Sequence, residues 1–319
     1  MDMETVLVTG GTGFLATRVI AAAQEAGYHV RTTVRKTPVE GVPSIVADLT
    51  SDEGWEEAVA GCDYVLHVAS PLPSAQPADE DELIIPARDG TLRVLRAARD
   101  AGVRRTVVTS SFAAIGYGHP QTDRAFTEDD WSRADGDIAA YPKSKLIAER
   151  AAWAFDRGAM ELTVVNPTGI FGPVLGPRYA SSIGILAGLL NGSTPAIPNM
   201  WFGMLDVRDA ADLHLRAMTS PKAAGERFIG ASGDAVSMAY IAQVLRERLG
   251  ARTPTEVVPD EVVRKLAETD ARMAELAKNV GKIRHLSNAK ARSVLGWNPR
   301  PTEDVIADTG RSLIEGGYV

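Results

Sequence analysis

The chain has 319 residues, 45% hydrophobic and 24% charged, with a formal net charge of -7. That length exceeds the ~100–200 residues of one ordinary domain, so two substructures sharing an interface are expected, and the average composition excludes disordered, collagen-like and disulfide-framed classes. Basic residues are dispersed, with Arg104 and Arg105 the clearest cluster, which excludes nucleic acid as a partner; the single Cys62 cannot close an intramolecular disulfide and fits a reducing cytoplasm.

The opening MDMETVLVTG carries acids where a secretory leader needs lysine or arginine, so export is not expected. The apolar stretch Ile183 to Leu190 is interrupted by glycines and falls far short of the ~20 residues of a membrane span. Strands are predicted near Thr5 to Thr9, Tyr28 to Val34, Ser44 to Ala47, Tyr64 to Val68, Arg105 to Thr109 and Glu161 to Val165, alternating with helical periodicity. Runs such as VLV, YVLHV and TVVT are apolar throughout, as strands buried on both faces must be, so the expected fold class is α/β with a doubly wound parallel sheet.

After Val165 the segments NPTGIFGPVLGPRYASS and NGSTPAIPNM read as loops over a pocket. A strand-like WFGML, a helix from about Asp209 to Thr219, and helices at Met238 to Leu249 and Asp260 to Ala277 are expected to follow. The division predicted is a dinucleotide-binding domain over 1–167, joined by about 201–220, with 168–200 and 221–319 forming a smaller, mainly C-terminal α/β substrate-binding domain.

VLVTGGTGFLA places a glycine-rich turn between a strand and a helix, the context a phosphate-binding fingerprint requires in a Rossmann sheet. Gly10 permits the tight turn, Gly13 lets backbone approach a pyrophosphate, and Ala16 is small enough for close helix packing. No acid follows the second strand where NAD ribose hydroxyls would need one. Arg35 and Lys36 stand there instead, and such cations pair with the 2′-phosphate of NADP(H). Asp48 and Leu49, after the third strand, are placed to meet the adenine.

In YPKSK, Tyr141 and Lys145 are four residues apart and share one helix face. A phenol with a reference pKa near 10 needs help to exchange protons at neutral pH, and a neighbouring ammonium supplies it. VVTSSFAAI ends a buried strand in hydroxyls at the carboxyl edge of the sheet; Ser111 is chosen to hold a substrate oxygen, with Ser110 facing the cofactor. Capping is the rival role for both serines.

The motifs VTGGTGFLA, ADL, HVASP, VVTSS, YPKSKLIAERAAW, NPTGIFGP, DVRDAADLH and SNAKARSVLGWNPR occur in one order along nearly the whole chain. In this the sequence resembles the extended short-chain dehydrogenase/reductase family, and within it the branch of dihydroflavonol reductases, cinnamoyl-CoA reductases and microbial aldehyde or ketone reductases. The resemblance implies Ser111, Tyr141 and Lys145 as catalytic positions. It also implies Thr12, Phe14 and Leu15 at the phosphate turn, Ala69, Ser70 and Lys145 at the nicotinamide ribose, and Pro167 and Thr168 near the ring. IAAYPKSK lacks the Asn-Trp-Tyr-Cys-Tyr signature of cinnamoyl-CoA reductases, which favours free aldehydes or ketones over thioesters. Phe112, Tyr117, Phe171, Tyr179, Met200, Trp201 and Phe202 are the candidates for an apolar substrate pocket.

The expectation is therefore an NADPH-dependent carbonyl reductase, monomeric or homodimeric, with a small-molecule carbonyl substrate and no membrane or nucleic-acid partner. The five histidines show no paired ligand spacing, so no metal is expected. A sugar-nucleotide epimerase or dehydratase with tightly bound NAD is the first alternative, disfavoured by HVASP and NPTGIFGP; a non-catalytic NADP sensor, which can dispense with the tyrosine, is the second.

Overall fold

A computed structural model describes residues 3–71, 77–174, 176, 179–270, 273 and 276–319. Seven strands form the main sheet: β1 (Thr5–Val8), β2 (His29–Val34), β3 (Ser44–Val46), β4 (Tyr64–His67), β5 (Arg105–Thr109), β6 (Glu161–Pro167) and a late strand, Arg227–Gly230. Their order across the sheet is β3-β2-β1-β4-β5-β6 and then the late strand, with every pairing parallel. The order reverses beside β1, so β1 and β4 diverge into opposite crossovers and leave a crevice at their carboxyl ends.

Side chains alternate along each strand and feed two apolar layers. Val6 and Val8 point into a layer with α1 (Phe14–Glu25) and α6 (Val207–Thr219), while Leu7 points into the other, with α2 (Trp55–Val59), α3 (Asp81–Asp100) and α4 (Ala140–Ala154). The two layers give the sheet its double cover and confirm the α/β Rossmann-like architecture expected from the continuous apolar strands. A third cluster, in which Phe171, Ile183 and Leu186 of α5 (Ile183–Leu190), Met238, Ile241 and Val305 are buried, is a separate core beside the two sheet layers.

Three expectations need correction. Arg227–Gly230 and the helix Ala289–Leu295 fall in the segment assigned to the smaller part, yet the strand completes the main sheet beside β6, and Ala291, Leu295 and Trp297 pack into the α1/α6 layer. The Trp297 indole donates to Asp209 O at 3.1 Å and the Arg300 N–H to Asp209 Oδ2 at 2.8 Å, which ties this late segment to α6. WFGML is two strands rather than one: Trp201–Phe202 pairs antiparallel with Val236–Ser237, and Met204–Asp206 pairs parallel with Gly169–Phe171. The break falls at Gly203, where a Cβ would come within 2.6 Å of Thr168 Cγ2. The helix expected over 260–277 stops at Leu266 and gives way to a turn; residues 271, 272, 274 and 275 lie outside the described residues.

Candidate active site

The glycine turn is built around close approaches. Gly10 has φ +74°, the left-handed region, and a Cβ there would lie 3.0 Å from Ala69 Cβ. Gly11, not singled out from sequence, sits tighter still: a Cβ would be 2.3 Å from Thr32 Oγ1, whose hydroxyl is held by donating to Val8 O at 2.6 Å. Gly13 occupies the N-cap of α1 with no side-chain cap, and no acid stands in the first turn. Thr12 is exposed, Phe14 half-buried and Leu15 buried at that helix start. The result is a helix N-terminus with free N–H groups, matched to an anion.

Arg35 and Lys36 emerge exposed directly after β2. Arg31, one turn of strand earlier, is structural: its guanidinium donates to Ala60 O at 2.9 Å and Glu57 O at 3.2 Å, closing the end of α2. Asp48 accepts from both the N–H and the hydroxyl of Thr50, which lower its pKa, with Arg35 adding a smaller pull in the same direction. Leu49 packs against Gly90 of α3. Leu49, Ala69, Ser70, Ser110 and Lys145, all singled out from sequence, line one recess with His67 and Glu149. Three strand ends, those of β3, β4 and β5, and the helix α4 supply them, which is the tertiary fact that the motif order could only imply.

Tyr141, Lys145 and Glu149 lie on successive turns of one face of α4. Pro142 sits in the first turn of that helix, where its missing N–H has no intrahelical acceptor to lose. Burial raises the Tyr141 pKa, and the nearby Ser111 side chain partly offsets the rise. Ser111 caps the turn Phe112–Ala114 by accepting from Ala113 N–H at 3.1 Å, and that bond uses only its oxygen, so its own proton remains for the phenol.

The Lys145 ammonium is 5.8 Å from the Tyr141 ring centroid and donates to Ser70 Oγ at 2.9 Å. Burial lowers its pKa to about 8, against an opposing pull from Glu149.

Ser110 lines the recess, and its hydroxyl donates to Glu149 Oε2 at 2.5 Å. Glu149 is the hub of a network that sequence reading missed: Arg227 Nε donates to Oε1 at 2.6 Å, Asn166 Nδ2 to Oε2 at 2.7 Å, and Trp153 Nε1 to Oε1 at 3.2 Å. Asn166 also donates to Ser111 O at 3.2 Å, and the Arg227 guanidinium lies 3.7 Å over the Trp131 ring. The only local signal was an acid one turn beyond Lys145.

Two histidines brace the strand ends. His67 Nδ1 meets Thr9 Oγ1 at 2.9 Å, and the same oxygen accepts from Ala69 N–H at 2.9 Å. His214 Nε2 meets Thr109 Oγ1 at 2.8 Å. Burial keeps both rings neutral, with pKa values lowered to about 3 and about 4. Pro167 is buried at the end of β6, and Thr168 is turned toward Gly230 O.

A cavity of about 250 Å³ opens beside the phenol, lined by Tyr117, Asp137, Ile138, Ala139, Tyr141, Pro142, Lys278, Asn279 and Arg284. Of the seven aromatic and methionine candidates only Tyr117 belongs to it. Phe171 is fully buried in the third core cluster, and Phe112 is buried edge-to-face on Phe126 with centroids 6.3 Å apart. Tyr179 packs on Tyr318, Met200 and Phe202 lie against the same core, and the Trp201 indole donates to Asn199 Oδ1. Apolar bulk in a loop is spent on packing more readily than on an open wall.

Residues 6–229 match the family described as the NAD dependent epimerase/dehydratase family, and the chain belongs to that family. It is 30% identical to cinnamoyl-CoA reductase CAD2 of Medicago truncatula over 334 residues, covering 98% of this chain and 96% of that one. It is 29% identical to the ketoreductase azaE of Aspergillus niger, covering 98% of each. Among solved structures it is similar to the yeast methylglyoxal/isovaleraldehyde reductase Gre2 complexed with NADPH, with a TM-score of 0.80 and 25% identity over 99% of this chain and all of that one. Among the described residues, no helix is long and apolar enough to cross a membrane.

Proposed function

We propose that this chain reduces a small aldehyde or ketone, with Tyr141 as proton donor, Ser111 as the group that holds the carbonyl oxygen, and NADPH as reductant. It is an NADP-dependent oxidoreductase acting at C=O and CH–OH groups. The residues fit the cofactor: the uncapped start of α1 suits a pyrophosphate, exposed Arg35 and Lys36 suit a 2′-phosphate, and Lys145 with Ser70 lines a recess suited to a ribose. When bound, NADPH supplies the hydride that reaches the carbonyl carbon.

The chain's own groups handle the oxygen. The raised pKa keeps the phenol protonated at neutral pH, which is the state a donor needs before reduction. Ser111, close to the phenol and with its own proton unused by the cap, stabilises the phenolate left behind. Lys145 fixes the Ser70 side of the recess and brings a cation near the developing charge.

The observation that carries this reading is the placement of Tyr141 in the lining of a cavity with the Ser111 side chain close enough to ease its ionisation. The test is Tyr141→Phe, assayed by NADPH absorbance on a panel of aldehydes and ketones. A ~10²–10⁴-fold fall in kcat, with NADPH binding kept within a few-fold, is expected; near-full turnover in the variant would remove Tyr141 from the role.

A further inference from the structure

The cavity beside Tyr141 is apolar at Tyr117, Ile138 and Pro142, yet its lining also holds two cations, Lys278 and Arg284. The Arg284 guanidinium lies 4.1 Å over the Tyr117 ring, and its Nη2 donates to Asn279 Oδ1 at 3.0 Å. Those contacts use the face of the fork and one N–H; no carboxylate pairs with Arg284 among the described residues. An aromatic stack and an amide bond hold the plane of the guanidinium, so its remaining N–H edge is presented with little rotamer entropy left to lose. Asp137, the one carboxylate in the lining among the described residues, is exposed and lies 3.8 Å from Lys278 Nζ.

Tyr117 links the two ends of the cavity. Its ring carries Arg284, and it stands near enough to Tyr141 to affect the phenol electrostatically. A molecule whose carbonyl reaches Tyr141 and Ser111 therefore has a guanidinium within the same small space. A volume of about 250 Å³ lies at the low end for a ligand site and suits a compact acid rather than a nucleotide-linked compound.

We propose that Arg284 is a specificity-determining residue that selects aldehydes or ketones bearing a carboxylate, the acid group resting on its fork while the carbonyl meets Tyr141. This deepens the reductase reading and rests on it. A bidentate guanidinium–carboxylate contact is charge-assisted and directional, so it discriminates an acid from its ester more sharply than the apolar wall can.

The experiment compares 3- and 4-carboxybenzaldehyde with their methyl esters, measuring kcat/KM with NADPH for the wild type, Arg284→Gln and Arg284→Lys. At least one acid should exceed its ester by ~10-fold or more. The ratio should collapse toward one in Arg284→Gln, through KM, and hold an intermediate value in Arg284→Lys, which keeps the charge without the fork. Esters equal to or better than acids in the wild type, or a ratio unmoved by both variants, would overturn the proposal. If the wild type reduces neither acid nor ester, the reductase reading fails instead, and calorimetry with benzoate against benzamide still decides the role of Arg284. Benzoate binding lost in Arg284→Gln supports it, and equal behaviour of the two probes overturns it.

Discussion

Glu149 and Arg227, 78 residues apart, form an ion pair at 2.6 Å in which both side chains are shut away from solvent. The carboxylate is also the acceptor for Ser110 and Asn166, and Asn166 holds the backbone carbonyl of Ser111, so one buried charge positions the strand end that carries the candidate oxyanion ligand.

Glu149→Gln leaves Arg227 buried without its counter-charge. Breaking such a pair from one side costs about 3–5 kcal/mol, which urea denaturation will read. Glu149 also supports the Lys145 ammonium, so the variant should move the Lys145 pKa further below about 8 and shift the alkaline limb of the pH–rate profile to lower pH. A variant with unchanged stability and an unchanged profile would show that the network is ornamental to both fold and site.

The two inner glycines should fail differently. In Gly11→Ala the new methyl meets the fixed Thr32 hydroxyl, so a loss of about 1–3 kcal/mol in stability is expected before any ligand is considered. In Gly13→Ala the backbone, at φ -78°, accepts alanine, and the nearest obstacle is Gly10 O at 3.2 Å. Stability should then hold within about 1 kcal/mol while NADPH affinity, followed by fluorescence titration, falls ~10-fold or more. Equal thermal unfolding of both variants would contradict this division of labour.

Arg35→Asp reverses the charge at the end of β2. A guanidinium–phosphate contact is worth enough to predict a ~10–100-fold shift in the ratio of NADPH to NADH dissociation constants toward NADH. Constants for both nucleotides that move together would mean that Arg35 does not read the 2′-phosphate.

Buried His67 and His214 predict acid sensitivity well above the carboxylate range. In the unfolded chain both titrate near 6.5, whereas in the fold they remain neutral down to about 3 and about 4. As pH falls through 6.5 the unfolded state therefore binds protons that the folded state refuses, and stability drops; it is regained as pH rises above 6.5. Between pH 7.5 and 5 the loss should be about 2 kcal/mol per histidine. The double variant His67→Asn, His214→Gln should flatten that slope in urea denaturation, and an unaltered slope would place the titrating groups elsewhere.

Much of the fold follows from local pattern. Strand register with the sheet interior is written in VLV, YVLHV and TVVT, because a strand covered on both faces has no polar positions to spare. Gly10 and Gly13 were legible because a turn between strand and helix constrains residues only a few positions apart. Tyr141 and Lys145 were legible because four residues make one helical turn.

What the sequence by itself determined was thus six of the seven strands of the main sheet, the phosphate turn and the spacing of phenol and ammonium, all properties of near neighbours along the chain. The tertiary structure alone decided that Glu149 meets Arg227, that Ser110 donates to that carboxylate, that Phe171 is core, and that Arg284 lies over Tyr117. Each of these depends on contacts between residues far apart in sequence or on competition for burial, and no periodicity records which distant partner a side chain will find.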